Sequence, residues 1–393
     1  ILLLAADFFL PMRALGSYFH VAMNGMAAAE KAQRALEELE PLARHYDVVV
    51  GNPPYLGSGN MDVWLSKWTK ENYPDEKNDL CTCFIARGLK LMEGNGYSAM
   101  LTASSWMFIS SFEKMRGRLI DSVAITSMIQ QSTHGFPGVT VPTTMFSLHK
   151  GDINSRGSYI RLEDFDRPQW QQPRAYEAIH NHDCGWFYRA DQQDFKKIPG
   201  SPIAYWLPSD AVMLFASNSM LSTEIDARVG LITGNVNRFL KQWQEVSFNS
   251  IEFGLMPGDS NLRKWIPCTK GGNYRLWYGN NNFVVNWEND GWEMKNDNYD
   301  GSRCRAHNFN GTQAFKEGIS WSTISSASFH CRYVPNGFMF DTAGPFCEVI
   351  NLHNLNYILS LMSSSTYRSL INVINPTLNF PPGYLGSIPY VEP

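Results

Sequence analysis

The chain of 393 residues is 44% hydrophobic and 18% charged, with length and apolar content for two domains with full cores. A formal net charge of −4 argues against a protein basic throughout, so contact with nucleic acid has to come from a local patch. The seven cysteines form no Cys-x-x-Cys pair and the nine histidines show no ligand spacing, which reads as reduced, structural thiols and no metal site.

The apolar opening, Ile1 to Leu10, is short, is interrupted by Pro11 and has no basic flank. It is expected as a buried helix or strand of a cytoplasmic protein with no membrane partner. Further on, Val48, Val49 and Val50 predict the end of a buried strand, which Gly51, Pro53 and Pro54 stop in a rigid turn. Open α/β sheets bind ligands at the carboxyl ends of their strands. The turn therefore presents the Asn52 amide, the Pro53 carbonyl and the Tyr55 ring where a ligand is expected.

Those three groups together suit the holding of a planar amino group against a ring while its nitrogen attacks an electrophile. An exocyclic purine amine is a poor nucleophile because its lone pair is delocalised into the ring. The Asn52 oxygen and the Pro53 carbonyl can take both N–H hydrogens, draw the nitrogen toward tetrahedral geometry and free its lone pair for a methyl sulfonium. No strong base is required, since the cationic product sheds a proton readily. Tyr55 supplies the stacking surface. The bland alternative is a proline-capped strand end without chemistry.

Asp79-Leu80 opens a predicted helix with Phe84, Ile85, Leu89 and Met92 at apolar spacing, ended by Gly94-Asn95-Gly96. Tyr97 to Thr102 is the next strand. Ser111 to Ile120 is a short amphipathic helix with Glu113, Lys114, Arg116 and Arg118 facing water, and Val123 to Met128 is another strand. Gly135-Phe136-Pro137-Gly138, followed by Val139 to His149, predicts a closing hairpin. The alternation gives a doubly wound α/β domain over residues 1–150. Gly57-Ser58-Gly59 and Gly271-Gly272 lack the strand–loop–helix setting of a cofactor-binding loop, so such a loop is expected upstream of Ile1.

Residues 151–197 are polar and weakly periodic and read as a connector. From 198 to 393, short aromatic and β-branched runs such as Val284 to Trp287 and Phe338 to Phe340 predict a strand-rich α+β domain, with helices near Tyr205 to Ser217 and Leu352 to Val373. Between Arg228 and Asn280 seven basic residues face three acidic ones, interleaved with Phe239, Trp243, Trp265, Tyr274, Trp277 and Tyr278. Aromatics among cations suit a nucleic-acid surface, and equally an ordinary β-rich core with a charged exterior.

Asn52-Pro53-Pro54-Tyr55 resembles the catalytic motif of S-adenosylmethionine-dependent amino-methyltransferases, and Tyr46 to Lys150 resembles the second half of the Rossmann-like adenine-N6 methyltransferase domain. In the second half, Gly230 to Phe239, Lys270-Gly271-Gly272 with Arg275, Trp277 to Asn280, Val285 to Gly291 and Asn375 to Phe380 are similar to a bacterial target-recognition domain. With Gly57 to Met61, the set resembles the PglX-type methyltransferases of BREX phage-defence systems and related single-chain restriction-modification enzymes. Relatives commonly carry a lysine at the position of Gly59, and Tyr-Asn at Cys268-Thr269, which suggests a different target sequence.

The resemblance implies S-adenosylmethionine as cofactor, bound through Asn52, Pro54, Asp79 and Phe84, and catalysis by Asn52, Pro53, Pro54 and Tyr55. It implies a flipped base stacked by Tyr55 and Phe136. The DNA contacts it points to are Thr233, Asn235, Arg238, Lys270, Arg275, Tyr278 and Asn280, with double-stranded DNA and other phage-defence subunits as partners. Two alternatives stand beside it: an amino-methyltransferase acting on RNA guanine or protein glutamine, and a DNA-recognition or phage-sensing module without methylation.

Overall fold

The computed structural model describes residues 26–138, 140–297, 304–325 and 328–392; the apolar opening at Ile1 to Leu10 lies outside them. The chain divides into two compact units, Ile1–Val212 and Met213–Pro393.

The first unit is built on one six-stranded sheet in the order β1-β2-β4-β3-β5-β6. The strands are β1 (Tyr46–Gly51), β2 (Met92–Ala103), β3 (Ala124–Gln131), β4 (Thr143–His149), β5 (Gly157–Leu162) and β6 (Phe187–Ala190). β1 and β2 are parallel, as are β3 and β5, while β4 is antiparallel to both β2 and β3. β1, β2, β3 and β5 therefore run one way, and the segments that follow them emerge at a single edge: 52–56, 104–108, 132–138 and 163–167.

The helices of this unit are α1 (Met26–Ala43), α2 (Val63–Asn72), α3 (Leu80–Leu91), α4 (Glu113–Ser122) and α5 (Pro168–His180). α2 starts where Asp62 accepts the Leu65 amide at 2.7 Å, and α3 starts where Asp79 accepts the Cys81 amide at 3.0 Å, each satisfying a donor that the first helical turn leaves without a partner. Gly88 lets α3 lie close on β2, since a Cβ there would meet the Met100 side chain at 2.5 Å. Trp106, Phe112, Met115, Leu119, Ile125, Met128, Phe146 and Tyr159 fill the main core.

Four readings change. β1 is buried on one face only: Val49 packs on the core, while Val48 and Val50, on the opposite face, are 58% and 75% exposed, and among the described residues β1 pairs only with β2. Gly94-Asn95-Gly96 does not end the helix in a loop but lies within β2. Residues 151–197, expected as a connector, supply β5, α5 and β6, with Tyr159, Ile160 and Leu162 buried. Polar residues and Pro168 mask that alternation in the sequence. The stretch after residue 198 likewise begins inside the first unit, where Ile203 and Tyr205 are core residues.

Arg116 is the fourth. It does not face water but is 0% exposed, on the same face of α4 as Met115, Leu119 and Ile120. Its guanidinium donates to the carbonyls of Trp106 at 2.8 Å, Ile109 at 2.7 Å, and Gly200 and Ser201 at 3.1 Å. A buried charge is tolerated only when its donors are matched in this way.

In the second unit two four-stranded sheets form, ordered β13-β9-β10-β8 and β12-β11-β14-β7. They use β7 (Ile225–Arg228), β8 (Leu240–Gln242), β9 (Trp265–Thr269), β10 (Phe283–Asn286), β11 (Gly318–Trp321), β12 (Cys331–Val334), β13 (Met339–Phe340) and β14 (Phe346–Val349). After α6 (Ser209–Ser217), which spans the unit boundary, the helices are α7 (Val236–Phe239), α8 (Glu288–Lys295), α9 (Leu355–Ser363), α10 (Ser365–Ile374) and α11 (Pro382–Leu385). The helix expected over Leu352 to Val373 is two helices, broken at Ser364, whose hydroxyl caps α10 by accepting the Tyr367 amide at 3.1 Å. Among the described residues no helix is long and apolar enough to cross a membrane.

Arg116→Ala leaves one buried carbonyl, that of Trp106, and three partly buried ones without this donor and is expected to cost about 3 kcal/mol. Urea unfolding of the chain checks this: a loss below about 1 kcal/mol contradicts the clamp.

Candidate functional site

The proline turn leaves β1 at the edge where β2, β3 and β5 also end. Asn52 and Pro54 are exposed, Pro53 is buried and Tyr55 is half-buried. No described residue bonds the Asn52 amide or the Pro53 carbonyl. Burial, then the neighbouring Cys81 and Asp79, raises the pKa of the Tyr55 hydroxyl, so it stays neutral.

The exit of the turn is fixed against the start of α3. The Asp79 carboxylate accepts the Leu56 amide at 3.2 Å as well as the Cys81 amide, the Leu80 amide donates to the Leu56 carbonyl at 3.0 Å, and Ser58 donates to Asn78 at 2.9 Å. Asp79, expected among the cofactor contacts, thus spends its Oδ1 on two backbone amides and acts on the turn. Phe84 is half-buried against the cluster of Leu65, Tyr73, Leu80 and Cys83, one turn into α3. Burial pushes the Cys83 thiol up to about 12 and the Cys81 thiol beyond that, so neither is ionised near neutral pH. Phe136 lies half-buried in the segment after β3, at the same sheet edge.

The residues expected to meet DNA occupy two segments of the second unit. Leu231 bonds to Phe340 and Thr342, and Asp341 bonds to Thr269, so the segments starting at 231 and 270 flank one strand. Thr233 is buried with its hydroxyl unpartnered. The Asn235 side chain caps α7 by accepting the Arg238 amide at 3.2 Å. Arg238 is held by two carboxylates, Glu293 at 2.6 Å and Asp297 at 2.8 Å, so its charge is already matched inside the protein.

The segment 270–282 carries the rest. Lys270 Nζ lies 4.7 Å from the Phe283 ring centroid, Arg275 and Tyr278 are exposed, and Asn280 donates to the Asn273 carbonyl at 3.0 Å. Arg275 makes no hydrogen bond or ion pair with a described residue. The loop is strapped to the edge of β12, where Trp277 donates to the Cys331 carbonyl at 3.1 Å and accepts the Tyr333 amide at 2.9 Å. Trp277 has φ +75°, a left-handed backbone costly for a bulky side chain. Gly271 allows close packing on residue 343, whose carbonyl oxygen would lie 2.2 Å from a Cβ.

Beside this strapped loop sit two residues that sequence reading missed. His330 and Arg332, two apart and so on one face of an extended chain, are each 1% exposed, and His330 Nε2 and Arg332 Nη2 have no partner. Burial lowers the pKa of Arg332 to about 10, and burial together with the Arg332 charge lowers that of His330. Alternation around Cys331 was the only sequence signal available for them.

Asp341, at the root of the same loop, accepts the Ala343 and Gly344 amides at 2.9 Å, yet burial raises its pKa to about 6. The ordinary aspartate value is near 3.9, so the folded form holds a proton more tightly than the unfolded one. The contribution of that proton is full below about pH 4 and is lost as pH rises through about 6. Asp341→Asn keeps the acceptor without the buried charge. It is expected to stabilise the chain by on the order of 2 kcal/mol at pH 7.5 and to change little at pH 4. Thermal melts at the two pH values check it; a variant less stable at pH 7.5 contradicts it.

Residues 20–136 match the family described as Eco57I restriction-modification methylase. The chain is 38% identical to the adenine-specific methyltransferase PglX of Lacticaseibacillus casei (strain Zhang) and 36% to the adenine-specific methyltransferase BrxX of Escherichia coli O9:H4 (strain HS), in each case over 89% of this chain. It spans 30% and 28% of those two proteins' own lengths. In fold, it superposes on the Type IIL restriction-modification enzyme MmeI, solved in complex with DNA, with a TM-score of 0.55 at 11% identity, over 91% of this chain and 46% of that one. The chain is thus a relative, along most of its own length, of the adenine-specific methyltransferases PglX and BrxX.

Proposed function

We propose that the complete gene product transfers a methyl group to the N6 amine of a flipped adenine in duplex DNA, within a bacterial phage-defence or restriction-modification setting. The observation that carries this reading is the pair of acceptors at the proline turn: an exposed Asn52 amide and a Pro53 carbonyl, neither engaged by a described residue. The relatives' names support adenine as the base.

Asn52 and Pro53 accept the two N6 hydrogens and hold the nitrogen with its lone pair clear of the ring. Tyr55 and Phe136 hold the base once it has left the stack, as enzymes that modify a base require. S-adenosylmethionine, when bound, supplies the electrophilic methyl group. Asn52, Pro54 and the open part of the Phe84 ring fit a cofactor at this sheet edge. The Asp79 oxygen committed to Leu56 and Cys81 does not, and Asp79 serves instead to keep the turn in place.

The second unit is the part that reads DNA in this proposal. Arg275 and Lys270 supply charge for phosphates. Arg238 contributes less, because Glu293 and Asp297 already neutralise it.

Asn52→Ala is expected to abolish methylation of unmethylated genomic DNA while leaving duplex affinity nearly unchanged, since a contact strengthened in the transition state affects turnover more than binding. Incubating the complete gene product and its variant with labelled S-adenosylmethionine, alongside fluorescence anisotropy of a labelled duplex, checks both halves. Equal label incorporation by the two proteins contradicts the mechanism. In the same binding assay Arg275→Ala should weaken all duplexes alike and flatten the salt dependence, and an unchanged salt slope removes Arg275 from the backbone contacts.

A further inference from the structure

The segment that follows β3, 132–138, carries Phe136, and it does not stand alone at the sheet edge. β5 is the parallel neighbour of β3, so the residues after β5 and the start of α5 emerge beside it. One buried side chain joins the two. Gln171, on α5 and 4% exposed, directs its Nε2 to Ser132 Oγ at 3.3 Å, to the Leu162 carbonyl at 3.3 Å and to the Phe165 carbonyl. It therefore ties the first residue after β3 to the turn after β5.

Its other atom faces the same loop. Gln171 Oε1 is buried without a partner, and a Cβ on Gly135 would stand 3.4 Å from it, with Gln131 Cβ at 3.0 Å and the Ser132 carbonyl at 3.1 Å. Residue 135, immediately before Phe136, is thus packed directly on the Gln171 amide. A second tie lies at the rim, where His134 Nδ1 meets the Asp166 carboxylate at 3.0 and 3.2 Å. Asp166 belongs to a groove of about 370 Å³ that also includes Phe165, Trp170 and Arg174. Being exposed, that pair contributes little to stability on its own. Its place, one residue from Gly135 and two from Phe136, is what gives it a role.

We propose that Gln171 is the positioning residue of the base-holding loop, assisted by Asp166: it fixes Phe136 at the distance from the sheet edge that the flipped base requires. The inference rests on the reading of Phe136 as a stacking partner of that base. Gln171 touches neither base nor cofactor in this account. It acts by setting where the ring is held, through the Nε2 bonds and the packing of its amide on residue 135. It also explains why residues with no chemistry of their own, from α5, belong to the catalytic unit.

The test is a double-substitution cycle on the complete gene product, with unmethylated genomic DNA and labelled S-adenosylmethionine, reading kcat, KM for DNA and the melting temperature. Phe136→Ala is expected to lower kcat roughly tenfold by loss of stacking on the flipped base, with KM little changed because the duplex is held elsewhere. Gln171→Met, which keeps the volume and removes the amide, should also lower kcat several-fold at similar KM. Combined with Phe136→Ala it should add nothing, since both act through one ring. Asp166→Ala should show the same pattern more weakly, and Asp166→Asn should restore it. Losses that multiply in the double variant, or a Gln171→Met enzyme with wild-type kcat, overturn the positioning role while leaving Phe136 in place. A Phe136→Ala enzyme with unchanged kcat removes the stacking reading itself, and this inference with it.

Discussion

The Asp79 carboxylate is the side chain that ties the proline turn to the body of the first unit. Asp79 Oδ1 accepts the amide of Leu56, just past Tyr55, and the amide of Cys81, in the first turn of α3. The turn itself contains two prolines, which cannot donate backbone hydrogen bonds, so it has few other means of attachment. Its rigidity comes from the ring-locked φ angles of Pro53 and Pro54, and its place comes from Asp79 together with the backbone bonds of Leu80 to Leu56 and Ser58 to Asn78. With both settled, the Asn52 amide stands free at the sheet edge with its oxygen available.

The same edge collects the other parts of the site because four strands run the same way and end together. The parallel pairs β1–β2 and β3–β5 are separated by the antiparallel β4, which starts at that edge from the segment carrying Phe136 and returns the chain to the opposite one. The segment with Phe136 follows β3, and the residues that brace it follow β5. The protein thus builds the candidate site from segments far apart in sequence by aligning strand ends, which is how open α/β sheets generally form their ligand crevices.

Much of this was legible in the sequence. The hydrophobic run before Gly51 and the paired prolines gave the turn, and apolar spacing from Leu80 gave α3. The hairpin of β3 and β4 followed from Gly135 to Gly138 between two β-rich runs. Other features depend on three-dimensional partners that local pattern does not encode. Arg116 reads as a surface charge because its acceptors include residues 84 and 85 positions away. Val48 and Val50 read as buried because a β-branched run does not reveal whether both faces of its strand are covered. β5 and α5 were hidden by polar residues and proline, although the sheet buries Tyr159, Ile160 and Leu162. Of the residues singled out as DNA contacts, Arg238 carried a promising charge, yet Glu293 and Asp297, more than 50 residues away in sequence, already claim it. His330 and Arg332 escaped notice because buried polar atoms without a partner are visible only once neighbours are known.

The central claim is that the acceptors at the proline turn act on the exocyclic amine of adenine. The most direct measurement is identification of the product: genomic DNA lacking methylation is incubated with the complete gene product and S-adenosylmethionine, digested to nucleosides and resolved by mass spectrometry. The account predicts N6-methyladenine, present with the wild-type protein and missing with Asn52→Ala. A methyl group on cytosine, or N6-methyladenine formed equally by the Asn52→Ala variant, would contradict it.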